Sequence, residues 1–175
     1  MIVHSINDLS NLTLVNILKN GLREVNDPKL IKNYHPDYAD NSGNLFFILN
    51  KGRFQKGNYF IITDDDNNYI ASAGWNENTA DVALALTRMY VSKAYRNTFI
   101  VGKMILPIII EQTTKYEKLW MTVNDYNKPL YNWFVRNKDT SFSLGWPDIY
   151  KKFIPIGVEI VNYTPQYVVE YRKSS

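Results

Sequence analysis

The hydrophobic and polar positions in the first third of the chain predict a strand followed by two helices. Apolar and polar residues alternate over residues 2–6, which is typical of a strand. Asp8 or Ser10 is the expected N-cap of the first helix. A second short helix is expected over residues 44–54. The apolar residues near helical spacing that predict the first helix are Leu9, Leu12, Val15, Leu18 and Leu22.

From residue 57 onward the pattern predicts a hairpin, two strand-helix units and two closing strands. Residues 64–68 are Asp and Asn, which favour a turn between a strand at 59–63 and its return at 69–75. Pro107 is expected to kink the helix that contains it. The later elements are a strand at 82–91, a helix at 100–115, a strand at 118–123, a helix at 129–136, a loop at 139–147, and strands at 158–163 and 166–172 around Thr164-Pro165.

This order indicates an α+β, or mixed α/β, fold with helices on both faces of one sheet. A strand-helix-strand step between residues 82 and 123 implies a parallel pair joined by a right-handed crossover. The chain has 175 residues and a hydrophobic fraction of 45%, which suits a single domain over residues 1–175.

Composition removes several classes of function. The chain has no cysteine, which excludes a disulfide framework, a thiolate zinc site and a cysteine nucleophile. The two histidines, His4 and His35, have no partner pattern for a triad or a metal site, and no metal is expected. The net charge of +3 comes from scattered lysines and arginines, so nucleic-acid binding is not expected. Neither a signal peptide nor a membrane span is apparent, so a cytoplasmic protein is expected.

Residues 88–106 contain the first of two family-like patterns. An aliphatic-aromatic-Val run, Met89-Tyr90-Val91, closes a strand, and a loop and a helix follow it. The run resembles the GNAT superfamily of acyl-CoA-dependent N-acyltransferases, whose loop reads Arg/Gln-x-x-Gly-x-Gly/Ala. Two registers fit. Arg96 in the Arg/Gln position puts Phe99 and Val101 where the family has small residues, whereas Gly102 as the last small residue puts Asn97 in that position and Ile100 at the middle glycine.

Residues 119–134 resemble the same family's strand followed by Val-x-x-x-Asn-x-x-Ala-x-x-x-Tyr. Val123, Asn127 and Leu130 fall in register. In the family the Asn lies beside the pantetheine arm, and the Tyr can protonate the departing thiolate. Here the Tyr position is Phe134, which has no proton to give. Tyr131, three residues earlier on the same helix, could substitute, or could simply pack.

The resemblance covers residues 59–172 and implies a central, mostly antiparallel sheet with a splayed parallel strand pair. It implies acetyl-CoA as co-substrate, with loop amides and a helix N-terminus at the pyrophosphate and strand amides on the pantetheine. Tyr131 and Glu77 are the catalytic candidates. The residues expected to bind acetyl-CoA are Met89, Tyr90, Val91, Arg96, Asn97, Thr98, Phe99, Ile100, Val101, Gly102, Lys103 and Asn127.

The expected function is therefore transfer of an acetyl group from acetyl-CoA to a primary amine. Phe134 and the missing loop glycines leave a second hypothesis open, a non-catalytic module that binds acyl-CoA or a partner. The sequence does not identify the amine acceptor. It leaves the oligomeric state open, a homodimer included.

Overall fold

Over the described residues, the secondary structure follows the predicted order. A computed structural model describes residues 1–25, 56–123, 128–137 and 148–173. The strands are β1 (Ile2–Ser5), β2 (Gly57–Thr63), β3 (Tyr69–Glu77), β4 (Val82–Val91), β5 (Lys118–Val123), β6 (Phe153–Val161) and β7 (Thr164–Tyr171). The helices are α1 (Asn11–Val25), α2 (Ile100–Met104), α3 (Leu106–Gln112) and α4 (Lys128–Asn137).

The seven strands form one sheet in the order β1-β2-β3-β4-β5-β7-β6. Every neighbouring pair is antiparallel except β4 and β5, which are parallel. The predicted fold class is thus confirmed, with the parallel pair in the middle of the sheet. The expected helix at 44–54 and the expected loop at 139–147 lie outside the described residues.

Helix α1 covers one face of the sheet. Ser10 caps it, because the Ser10 Oγ accepts a hydrogen bond of 3.2 Å from the Thr13 amide. The predicted apolar stripe was right at Leu18, which is fully buried, and wrong at Leu12, which is 73% exposed; Leu14, outside the stripe, is also fully buried. Leu12 and Leu18 are six residues apart, which turns them about 240° around the helix, so both cannot face the sheet.

Helices α2 and α3 pack on the opposite face. The predicted break occurs near Pro107, which lies in the first turn of α3, while Ile105 separates the two helices. Ile105 and Ile109 are fully buried against strand residues such as Ala73 and Ala85. Because β2 alternates between the two clusters, with Ile61 towards α1 and Ile62 towards α3, the centre of the sheet is buried on both sides. None of the helices in the described ranges is long and apolar enough to cross a membrane.

Two of the hairpin turns differ in how well they were predicted. The turn at 64–68 is confirmed, with the Asp64 carboxylate accepting bonds of 2.9 Å from the amides of Asp66 and Asn68. The last turn is centred on Asn162 and Tyr163, not on Thr164-Pro165 as expected. Both residues have positive φ, 50° and 63°, which is the backbone shape of a tight two-residue hairpin turn.

Gly74, in the middle of β3, provides a test of the packing. A Cβ atom there would lie 2.5 Å from the Asn58 carbonyl oxygen and 2.6 Å from the Tyr59 ring. We expect Gly74→Ala to lower the free energy of unfolding by about 3 kcal/mol, measured by urea denaturation. Gly157→Ala is the control. Gly157 has φ +103° and open space around it, so only backbone strain of about 1 kcal/mol applies. A loss at Gly74 no larger than at Gly157 would contradict the packing described.

Candidate functional site

Strands β4 and β5 pair at one end and part at the other. Their register runs from Val82 opposite Lys118 to Leu84 opposite Trp120 and then stops. We call the gap between residues 85–91 of β4 and 121–123 of β5 the fork. On its outer sides β4 still pairs with β3 as far as Val91, and β5 still pairs with β7 as far as Val123. Both walls of the fork are therefore held by their other neighbours, and the opening is built into the sheet.

A double irregularity in β4 accompanies the opening. The register between β3 and β4 shifts on both sides of Gly74, which lies opposite Thr87. Leu86 and Arg88, on either side of Thr87, have φ values of 56° and 51°. Residues that carry a Cβ rarely adopt this left-handed backbone conformation, and each one that does so stores strain. Bulges of this kind bend a strand and end its pairing, which accounts for the departure of β4 from β5.

A chain of hydroxyls behind β4 holds these bulges. The fully buried Tyr59 hydroxyl donates to the Arg88 carbonyl at 2.8 Å and lies 2.9 Å from the Ser72 Oγ. The Tyr69 hydroxyl lies 2.6 Å from the same Oγ and 3.3 Å from the Tyr90 carbonyl oxygen. Burial raises the pKa of the Tyr59 phenol well above its ordinary value, so it remains a donor at any physiological pH. Side chains thus bond two β4 carbonyls where the strand is irregular.

One polar atom beside the bulges, the Thr87 Oγ1, differs from the other buried hydroxyl oxygens. The Thr87 Oγ1 is enclosed by protein and has no hydrogen-bond partner among the described residues. Other buried hydroxyls are bonded: Thr63 to His4 at 2.9 Å and Thr113 to the Ile109 carbonyl at 2.7 Å. An enclosed hydroxyl without a partner calls for an explanation, and this one lies on the wall of the fork.

The loop that leaves β4 leads into the N-terminus of α2. A short 3-10 turn spans Lys93–Tyr95, and the Arg96 Nε donates to the carbonyl of Val91 at 3.3 Å. Asn97 and Phe99 then adopt positive φ, 64° and 57°, before α2 begins at Ile100. Phe99 is the middle-glycine position in one of the two predicted registers, and it keeps a glycine-like backbone despite its bulk.

The side chains at the start of α2 have packing roles. Ile100 and Val101 are buried in the core. Phe99 lies edge-on to Tyr150, with ring centroids 6.4 Å apart. Gly102 lies so close to Tyr150 that a Cβ atom would be 2.2 Å from its hydroxyl, so Gly102 is needed for this contact. Burial raises the pKa of the Tyr150 phenol to about 12.

The charged residues on the β4 side of the fork have one sign. Between Asp81 and Glu111 the sequence contains no acidic residue, and its charged side chains there are Arg88, Lys93, Arg96 and Lys103. This stretch includes all of β4, the loop and α2. Its positive potential suits an anionic ligand. The sequence already contains this run without acidic residues, but only the structure shows that the run borders the fork.

The two catalytic candidates lie in different places. Glu77 lies opposite Ala83 at the closed end, where its carboxylate accepts from the Tyr116 hydroxyl at 2.7 Å and from the Lys56 Nζ at 3.2 Å. The Tyr116 bond, then Lys56, hold the pKa of Glu77 below its usual range, and burial raises that of Tyr116 to about 12. The Tyr131 ring lies against the Tyr167 ring, with their centroids 4.9 Å apart. Tyr167 pairs with Val123 at the open end of the strand pair.

Phe134 and Asn127 are the other two candidate positions of the second sequence pattern. Phe134 is buried, with its ring centroid 6.4 Å from that of Tyr150. The prediction for Asn127 lies outside the described residues. The β4, loop and α2 residues predicted to bind acetyl-CoA are therefore brought together along one wall of the fork and its exit, with Tyr131 near the opposite wall and Glu77 away from both.

Comparison with known proteins decides the fold. No family model and no curated protein sequence matches the chain. Solved structures do match. PaiA N-acetyltransferase of Thermoplasma acidophilum, in complex with coenzyme A, has a TM-score of 0.60 at 14% identity, covering 99% of this chain and 100% of that one. An acetyltransferase of the GNAT family from Staphylococcus aureus has a TM-score of 0.51 at 17% identity, covering 98% and 99%. The chain has the GNAT fold.

A third structure extends the range of GNAT-fold neighbours. A mutant of the spermidine N-acetyltransferase SpeG of Vibrio cholerae matches with a TM-score of 0.52 at 13% identity, covering 97% of this chain and 91% of that one. The splayed parallel pair that the resemblance to the GNAT family implied is confirmed. Because the sequence identities are low, the fold is what these neighbours have in common with this chain.

The hydroxyl chain behind β4 can be tested by stability. We expect Tyr59→Phe to lower the free energy of unfolding by about 2 kcal/mol, because it removes a buried hydroxyl that bonds Ser72 and the Arg88 carbonyl. Tyr163→Phe is the matched control, since Tyr163 is 102% exposed and should change stability by less than about 0.5 kcal/mol. Equal effects of the two substitutions in urea denaturation would rule out the proposed role of Tyr59.

Proposed function

We propose that residues 1–175 form one cytoplasmic N-acyltransferase domain that transfers an acetyl group from acetyl-CoA to a primary amine. The observation that carries the proposal is the fork. Residues 85–91 of its β4 wall form no ladder with β5, which leaves space for an extended ligand along this edge. An extended pantetheine arm carries amides that could pair with this wall as an added strand would.

The residues at the exit of the fork fit the anionic end of the same ligand. Lys93, Arg96 and Lys103 are exposed there, and no carboxylate lies between them in the sequence. The enclosed Thr87 hydroxyl, without a partner among the described residues, supports a polar ligand in the fork itself. The bound coenzyme A of the PaiA neighbour supports acyl-CoA as the donor in this chain too.

The chemistry required of the protein is orientation and proton transfer. Acetyl-CoA supplies the thioester whose acetyl group is transferred. A neutral amine forms the new C–N bond as the C–S bond breaks, and the amine's proton and a proton for the thiolate must be moved. We assign polarisation of the acyl oxygen to a backbone N–H of the β4 wall, where the left-handed Leu86 and Arg88 interrupt the ladder.

The proton donor for the thiolate is assigned to Tyr131. Phe134 has no hydroxyl, and Tyr131 stacks on Tyr167 beside the last residue of β5. Glu77 is a weaker candidate for the base, because its carboxylate is already bonded to Tyr116 and Lys56 at the closed end of the strand pair. A base acting through water at another position is compatible with the proposal.

One observation favours a second function. Phe134, at the position where an acid would stand, is buried in the core and cannot donate a proton. A GNAT-fold module that binds acyl-CoA or a partner without transferring the acyl group would have this property. The two functions share the fork and differ only in turnover.

Binding and turnover separate these functions. We expect calorimetry to detect CoA and acetyl-CoA binding to the protein, and a thiol-release assay to detect acetyl transfer to some member of an amine panel that includes spermidine, lysine peptides and aminoglycosides. Binding without thiol release would favour the module. No binding of either ligand at millimolar concentration would contradict both functions.

The proposed pyrophosphate site can be tested with two variants, each of which removes one positive charge. We expect Arg96→Ala to weaken acetyl-CoA binding by about fivefold, because it removes a cation at the fork exit, where the pyrophosphate is proposed to lie. Lys115→Ala is the control, since Lys115 follows α3 near Tyr116, at the closed end. If the two variants bind acetyl-CoA equally well, the pyrophosphate does not lie beside Arg96.

A further inference from the structure

Thr87 combines two anomalies in one short segment. Its Oγ1 is enclosed without a hydrogen-bond partner among the described residues, and its two neighbours, Leu86 and Arg88, are both in the left-handed conformation. An unsatisfied enclosed hydroxyl and backbone strain both lower stability. Because both costs fall in the segment of β4 that has just left β5, they point to a ligand that enters the fork.

The surroundings of Thr87 explain why the protein does not satisfy this hydroxyl itself. Thr87 lies opposite Gly74, which has no side chain to offer. The nearby hydroxyls of Tyr59, Ser72 and Tyr69 are engaged with one another and with the carbonyls of Arg88 and Tyr90. Beyond Leu84, the described residues of β5 form no ladder with β4.

We infer that the Thr87 hydroxyl binds the acyl donor, by donating a hydrogen bond to a carbonyl oxygen of the acyl-pantetheine arm. This inference rests on the proposed function. A carbonyl is favoured over the ammonium group of an acceptor, because Arg88 adjoins Thr87 and no acidic residue occurs from residue 82 to 110. Because the Oγ1 is enclosed in the ligand-free structure, a rotation about the Cα–Cβ bond must turn it towards the ligand, and a β-branched side chain in a strand has few rotamers to lose in doing so.

The decisive comparison is between ligand affinity and ligand-free stability. Thr87→Val replaces the hydroxyl by a methyl of similar size. We expect the ligand-free Tm to be unchanged or higher, because an unsatisfied hydroxyl has been removed, while acetyl-CoA affinity measured by calorimetry falls about fivefold to tenfold. Thr87→Ser, which keeps the hydroxyl, should bind acetyl-CoA within about twofold of the natural protein.

Thr113→Val is the matched control. Thr113 is buried and its hydroxyl donates to the Ile109 carbonyl, so this substitution should lower the Tm and leave acetyl-CoA affinity unchanged. A merely structural Thr87 would behave like Thr113. Loss of Tm in Thr87→Val with unaltered affinity would overturn the inference.

Two ligands identify the bonded oxygen and separate this inference from the proposed function. An affinity loss for acetyl-CoA alone would assign the hydroxyl to the thioester carbonyl, and an equal loss for CoA would assign it to a pantetheine amide; both support the inference. Equal affinities of Thr87→Val and the natural protein overturn the inference alone. Absence of CoA and acetyl-CoA binding to the natural protein would overturn the proposed function together with it.

Discussion

The hydrogen bond from Tyr59 to the Arg88 carbonyl is the interaction on which the candidate site depends. Tyr59 reaches β4 because Gly74 leaves room for its ring against β3. The bond fixes a carbonyl in the irregular part of the β3–β4 ladder, and so stabilises the left-handed residues on either side of Thr87. Without that support, strain in two non-glycine residues would favour a regular β4 that could continue to pair with β5.

This arrangement separates stability from function within one strand. The lower part of β4, residues Val82 to Leu84, is an ordinary buried parallel strand. The upper part is bonded on one side to β3, to Tyr59 of β2 and to Tyr69 of β3, and it forms no ladder with β5. The core on both faces stabilises the sheet well enough to tolerate this interruption, since β2 and β3 are buried almost throughout. Strain and an unsatisfied hydroxyl are concentrated where a ligand could compensate for them.

Much of the fold was readable from the sequence, and the details of the fork were not. The order of strands and helices along the chain, the Asp64 turn and the break at Pro107 follow from local chemistry that a sequence displays. The bulges do not, because Leu86 and Arg88 have no local preference for positive φ; their conformation is imposed by Tyr59 and Tyr69, distant in sequence. In α1 the stripe was right at Leu18 and wrong at Leu12, which faces solvent, while Leu9 packs against the core from a position before the helix begins. Gly102 suggested a close ligand approach, and its contact with Tyr150 gives it a packing role as well.

The most direct test of the fork is amide hydrogen exchange in β4, resolved by residue with NMR. The structure predicts that amides of residues 85–91 that do not bond to β3 exchange about a hundredfold faster than those of Val82 to Leu84 in the ligand-free protein, and slow down when CoA is added. If those amides were as protected as Val82 to Leu84 without ligand, β4 and β5 would be paired along their length, and no fork would exist to bind an acyl donor.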